Sequence, residues 1–166
     1  MAEWSLPHCR QARFEFTDPT DEGIEYVAQN LRAGDREEVH ATVGHRRYVD
    51  ALRLGVVASR SCLMAVDVYG VPAALLGVVT VSVLDNVGSP WMLATDRAED
   101  FPRAFIAYGR AYTRIMLGEY DVLENHVDAR NTRAVAWLKH LGYDVAPAAP
   151  HGPLGLPFHQ FRIGRT

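Results

Sequence analysis

Two cysteines in 166 residues are too few, and too far apart, to build a disulfide framework. Cys9 and Cys62 belong to no CxxC and to no Cys/His spacing, so the sequence points to a reducing compartment and to no structural metal. The chain also lacks a basic excess. Its formal charge is -3 with a pI near 6.1, and the charges are scattered, so no broad surface exists to displace counterions from nucleic acid. Long apolar runs are missing too: the start, "MAEWSLPHCRQARFEF", has no apolar stretch behind a basic one, and no run approaches the roughly 20 residues of a membrane span. The expectation is a cytoplasmic protein with neither nucleic acid nor membrane among its partners.

What is present fits one domain over residues 1–166, because 48% hydrophobic content at this length suffices to bury a sheet against helices. "RFEF" alternates Arg13 and Glu15 with Phe14 and Phe16, as a strand with one buried face does. Ile24, Val27, Ala28 and Leu31 follow a helical stripe, and a second helix is expected from Asp35 to about Leu54, with Gly44 and Gly55 leaving its middle and end open. "SCLMAVDVYG" and "VPAALLGVVTVSVL" read as neighbouring antiparallel strands joined at Tyr69-Gly70. "DNVGSP" turns into a strand at Trp91–Thr95, and the stretch 103–120 is a helix with Phe105, Tyr108, Tyr112, Ile115 and Met116 on one face. A strand at 121–127, a helix from Asn131 to Leu141, a strand at 143–145, a Pro/Gly loop at 146–157 and a last strand at 158–163 complete the order β-α-α-β-β-β-α-β-α-β-β. The fold class is α/β with α+β character, a mostly antiparallel mixed sheet with helices on both faces. The last strand, taken as an edge, could pair with another copy.

Chemistry concentrates in "ENHVDARNTRAVAWLKHLGYDV". Alternation places Glu124, His126 and Asp128 on one strand face, opposite Asn125 and Val127. Glu124, His126 and Asp128 on the strand and Asp96 beside it are the candidate general bases, with His126, of the better-suited unperturbed pKa near 6.5, and Glu124 put first. Asn131 is a favourable N-cap, with or without a ligand. The other histidines form no arrangement with a carboxylate that recommends a metal.

Val127, Asn131, Ala134, Gly142 and Tyr143 in this element order resemble the GCN5-related N-acetyltransferase (GNAT) superfamily. The resemblance implies a strand pair, Trp91–Thr95 and Val122–Val127, that splays to admit the pantetheine arm of acetyl-CoA. Met92, Leu93, Ala94 and Thr95 would hold the arm by their backbone and Asn131 would reach it. The sequence departs from the family at two places. The Gly-rich pyrophosphate loop is replaced by "TDRAEDFPRAF", with no glycine, with Pro102 and with three acidic residues, which leaves Arg97 and Arg103 as the phosphate partners. The tyrosine that serves some members as general acid corresponds to Leu138, with Tyr112 and Tyr143 as substitutes. A narrower resemblance, carried by Trp91 to Asp96, Met116-Leu117, Glu119 to Asp121, Asn125 to Val127, Asn131, Leu138-Lys139, Gly142 and the closing Phe158 and Phe161, is to the GNAT-like internal virion proteins of short-tailed bacteriophages. Three readings follow: acetyl transfer from acetyl-CoA to an amine on a small molecule or protein; a phage-type protein acting in virion assembly, or on a host protein in the host cytoplasm, through protein contacts; and a binding module that uses the gap without turnover.

Overall fold

The computed structural model describes residues 13–165; the reading of the first twelve, with His8 and Cys9, lies outside them. β1 (Phe14–Thr17) is followed by α1 (Asp21–Gln29), α2 (Ala33–Val43) and α3 (Tyr48–Ala58), then by β2 (Ser61–Asp67), β3 (Pro72–Ser82) and β4 (Val87–Ala94). A 3₁₀ turn over Asp96–Asp100 leads into α4 (Pro102–Glu119), β5 (Val122–Asp128), α5 (Thr132–Leu141), β6 (Asp144–Val145), β7 (Ala149–His151) and β8 (Leu156–Gly164). The strands form one eight-stranded sheet in the order β1-β2-β3-β4-β5-β8-β6, with β7 also on β8, and every pairing but β4–β5 is antiparallel.

β3 explains how the layers form. Its run "PAALLGVV" is apolar on both faces, as a strand covered on both sides must be. Leu75 enters the cluster under α1 and α3 with Val27, Leu31 and Leu52, while Leu76 enters the cluster under α4 and α5 with Tyr112, Leu123 and Phe161. Removing either leucine from water contributes about 1.5–3 kcal/mol. The β2–β3 turn is the expected one: Gly70 takes φ +76° and the Asp67 carboxylate accepts the N–H groups of Tyr69 and Val71 at 2.9 and 3.0 Å.

Four expectations are corrected. The helix expected from Asp35 to Leu54 is two helices, because Gly44 at φ +77° closes α2 with its N–H on the His40 carbonyl. The Pro/Gly stretch 146–157 contains β7, which pairs with β8 through Ala149–Phe158 and His151–Leu156. The last strand is no edge, since β8 lies between β5 and the short β6 and β7. β4 also begins four residues before the expected Trp91, at Val87. It tolerates Pro90 because the ring nitrogen faces away from β3, where no ladder donor is needed.

Candidate functional site

β4 and β5 are hydrogen-bonded neighbours only at Val87–Val122 and Gly88–Leu123, and beyond these rungs they part. Ala94 shows which backbone groups face the resulting gap. It gives its N–H to Asp35 Oδ2 at 2.8 Å and its C=O to the Arg32 N–H at 3.0 Å, so neither goes to β3. Strand alternation turns the groups of Met92 and the carbonyl of Pro90 the same way. Asn125 bridges the gap at its narrow end: its Nδ2 donates to Pro90 O at 3.0 Å and its Oδ1 accepts from the His126 N–H at 2.8 Å. One side-chain amide thus replaces one missing backbone rung. At the wide end, α2 lends two carboxyl groups. Asp35 takes the Ala94 N–H from β4, and Glu38 takes the Asp128 N–H from β5. Between the two bridges, the same alternation turns the N–H and C=O of Met92 toward the gap.

Asn131 ties these carboxyl groups together. Its Oδ1 caps α5 through the Ala134 N–H at 3.3 Å, and its Nδ2 donates to Glu38 Oε2 at 3.1 Å and Asp35 Oδ1 at 3.3 Å. Gly34 permits this approach, since a Cβ there would lie 3.0 Å from Asn131 Oδ1. Asp35 is also held by the Arg32 guanidinium at 2.9 Å. Burial, reinforced by the neighbouring Asp35 charge, pushes the Glu38 carboxyl up to about 8 against the opposing bonds from Asn131 and the Asp128 N–H. Burial also works to raise Asp128, but the Arg130 side chain and N–H hold it below its ordinary value.

A cavity of about 280 Å³ runs through the gap and is lined from both faces of the sheet. On the α4–α5 side its wall is aromatic, with Phe105, Tyr108, Tyr112, Trp137 and Tyr143 around Leu138. The indole Nε1 of Trp137 is buried there with no hydrogen-bond partner among the described residues. On the α2–α3 side Trp91 lies over Gly77, which has no room for a Cβ, and its Nε1 donates to Ser59 Oγ at 2.8 Å.

The residues singled out in the sequence are placed as follows. Met92, Leu93, His126 and Asn131 line the cavity, and Ala94 is fully buried beside it. Thr95 spends its N–H and hydroxyl on the Ala73 carbonyl. Arg97 is held by the buried Asp67 carboxylate at 2.6 Å and by Tyr26, and Arg103 is exposed on the first turn of α4. Glu124 pairs with Arg162 at 3.6 Å and is outside the cavity lining, while the imidazole of His126 stacks on His151 with centroids 3.9 Å apart. Burial, then the His151 charge, lowers the His126 pKa against the pull of Glu124. Tyr112 and Tyr143 line the cavity as buried phenols; burial raises both, Tyr143 to about 12. Sequence reading missed Asp35, Glu38 and the bridging role of Asn125. The available signal was the i, i+3 spacing of Asp35 and Glu38 beside the apolar Val39, a pair of acids on a face that should be buried.

A mixed sheet with one parallel, splayed strand pair and helices on both faces is the fold of the GNAT acetyltransferases, and solved structures of that class superpose on nearly the whole chain. A GNAT-family acetyltransferase from Bacillus anthracis matches with a TM-score of 0.69 at 10% identity, over 92% of this chain and 95% of its own. The spermidine N-acetyltransferase of Vibrio cholerae in complex with CoA and spermine matches at 0.65 and 11%, covering 93% and 96%. AAC(6')-Ib in complex with ribostamycin and coenzyme A matches at 0.68 and 14%, covering 92% and 94%. Identity this low establishes the fold. No protein-family model and no curated protein matches the sequence.

Proposed function

We propose that this protein transfers an acetyl group from acetyl-CoA to an amine, with Glu38 as the proton acceptor. The observation that carries the reading is a carboxyl group raised to about 8 at the wide end of a splayed strand pair, in a cavity that passes through the sheet. The gap suits an extended amide-bearing arm. It is apolar, and Met92 turns a backbone donor and acceptor into it between the Asn125 bridge and the carboxyl pair. When bound, acetyl-CoA would supply a thioester: the amine nitrogen would form the C–N bond and shed its second proton, the C–S bond would break, and the thiolate would leave with the electron pair and take up that proton through water. Glu38 removes the proton from the ammonium beforehand, its raised pKa bringing it nearer to that of the amine. Asn131 and the Asp128 N–H orient the carboxyl group. Leu138 excludes water and donates nothing. At the phosphate end, Arg103 would meet the negative charge, since Arg97 is held by Asp67. His126, in the same cavity, is the alternative acceptor.

Calorimetric titration with acetyl-CoA, followed by thiol release with amines across pH, tests this. Expected are micromolar binding and a rate that rises with deprotonation of a group near 8; a rise below 6.5 would assign the base to His126 instead. Glu38→Gln should keep the heat of binding and lose roughly 10²-fold or more in rate. No heat at millimolar acetyl-CoA overturns the reading. In that case a second one gains, in which the chain keeps the fold and acts through protein contacts in a virion or on a host protein. It is favoured by the 3₁₀ turn that stands where phosphates would bind, with Asp96, Glu99 and Asp100 exposed on it. The solved structures named above are all acetyltransferases, and none of them is a virion protein.

A further inference from the structure

The charges around the cavity restrict what can enter it. Among the described residues, and apart from the buried tyrosines, its titratable lining consists of Arg32, Asp35, Glu38 and His126. The Asp35 carboxylate is fully engaged, with the Ala94 N–H on one oxygen, Arg32 on both and the Asn131 amide at the other. Arg32 and Asp35 therefore cancel each other. The His126 imidazole is stacked face to face on His151, an arrangement that a second positive charge would oppose. One group, Glu38, remains to meet a cation. Beyond it the α2–α3 side of the cavity offers Val39, Thr42, Val43, Ala51, Gly55 and Trp91, with one hydroxyl and no carboxylate among them.

We propose that the acceptor is a primary amine with a single positive charge on a compact apolar or aromatic body, its ammonium at Glu38 and its body against Trp91 and Val39. The proposal rests on the acyl-transfer reading for its chemistry, but the binding site itself does not depend on the cofactor. A polyamine or an amino sugar would bring a second ammonium into a wall with no counter-charge among the described residues, and an unpaired charge there forfeits its hydration without compensation. This separates the chain from the spermidine acetyltransferase whose fold it shares.

The test is calorimetry of 2-phenylethylamine, spermidine and ribostamycin on the full chain at about pH 8.5, where Glu38 is ionised, with and without CoA. Thiol release from acetyl-CoA is then measured with each amine. The expected result is that 2-phenylethylamine binds without CoA, at least about tenfold more tightly than either polycation, and is the best acceptor. Glu38→Gln should weaken it by about tenfold or more while leaving the heat of CoA binding intact. Val43→Glu, at the exposed end of α2, adds a second carboxylate to the lining without disturbing the carboxyl pair. It should improve spermidine relative to 2-phenylethylamine by about tenfold. Spermidine or ribostamycin as the preferred ligand and acceptor overturns the single-charge proposal and leaves acyl transfer standing. Binding of 2-phenylethylamine that Glu38→Gln weakens, in a protein that takes up no CoA, keeps the amine site and overturns acyl transfer. No amine binding by a protein that does bind acetyl-CoA overturns the site alone.

Discussion

Glu38 is a side chain that the fold holds at a cost. Its carboxyl group has an ordinary pKa near 4.5 and is raised to about 8 in the folded chain, so folding tightens its hold on a proton. A group raised in this way contributes fully to stability below the unfolded value, and the contribution is lost as pH rises through the folded one. Glutamine keeps the shape and the amide-range contacts to Asn131 and Asp128 and has no charge to desolvate. Glu38→Gln should therefore unfold at a higher urea concentration than the parent, with the difference opening between about pH 5 and about pH 8 and constant above. Parallel stability curves across that range would mean that Glu38 ionises as it does in water, and its part as a poised base would fall. Such a cost is ordinary where binding requires a charge to wait in an apolar wall.

Among the elements, those with local signals were readable in the sequence. α5 is an example, because Asn131 caps one end and Gly142, at φ +97°, closes the other. The continuous apolar run of β3 and the Asp67–Gly70 turn were equally plain. The short β7 was not, since Ala-Pro-His has no alternation and its place is set by pairing with β8. Nor could the site be assembled from spacing, because Asp35 meets Ala94 across 59 positions and Asn131 meets Glu38 across 93, contacts that exist only once β4 and β5 diverge. The β7–β8 hairpin shows what such contacts are worth. Gly152, at φ +72°, lies so near α2 that a Cβ would sit 2.8 Å from the Ala41 carbonyl, whereas Gly155, at φ +60°, faces open space. Gly155→Ala should cost about 1–2 kcal/mol for its left-handed backbone alone. Gly152→Ala should cost at least about 1 kcal/mol more, because the hairpin must also back away from α2. Equal losses in urea melts would show that the hairpin does not brace the helix that carries Asp35 and Glu38.

At the scale of the whole molecule, the gap proposed to bind the cofactor also divides the sheet into β1–β4 and β5–β8. The halves share two backbone rungs, the Asn86 carbonyl that accepts the Asp121 N–H, the Asn125 amide and the carboxyl groups of α2. The apolar cluster under α4 crosses this seam, drawing Leu63, Leu76 and Ala94 from one half and Leu123, Val127 and Phe161 from the other, with Tyr108, Tyr112 and Met116 of α4 over both. Loss of either half would expose that entire cluster, a penalty far larger than the few hydrogen bonds at the seam could offset. Calorimetry should accordingly show one unfolding transition with equal calorimetric and van't Hoff enthalpies. Acetyl-CoA in the gap would touch both halves and neither when unfolded, so at a hundredfold excess over its Kd it should add about 2.7 kcal/mol. For a chain of this size that moves the single transition upward by about 5–10 °C without splitting it. Two resolved transitions in the free protein, with only one of them moved by the ligand, would mean that the halves fold separately and that the cofactor is held by one of them alone.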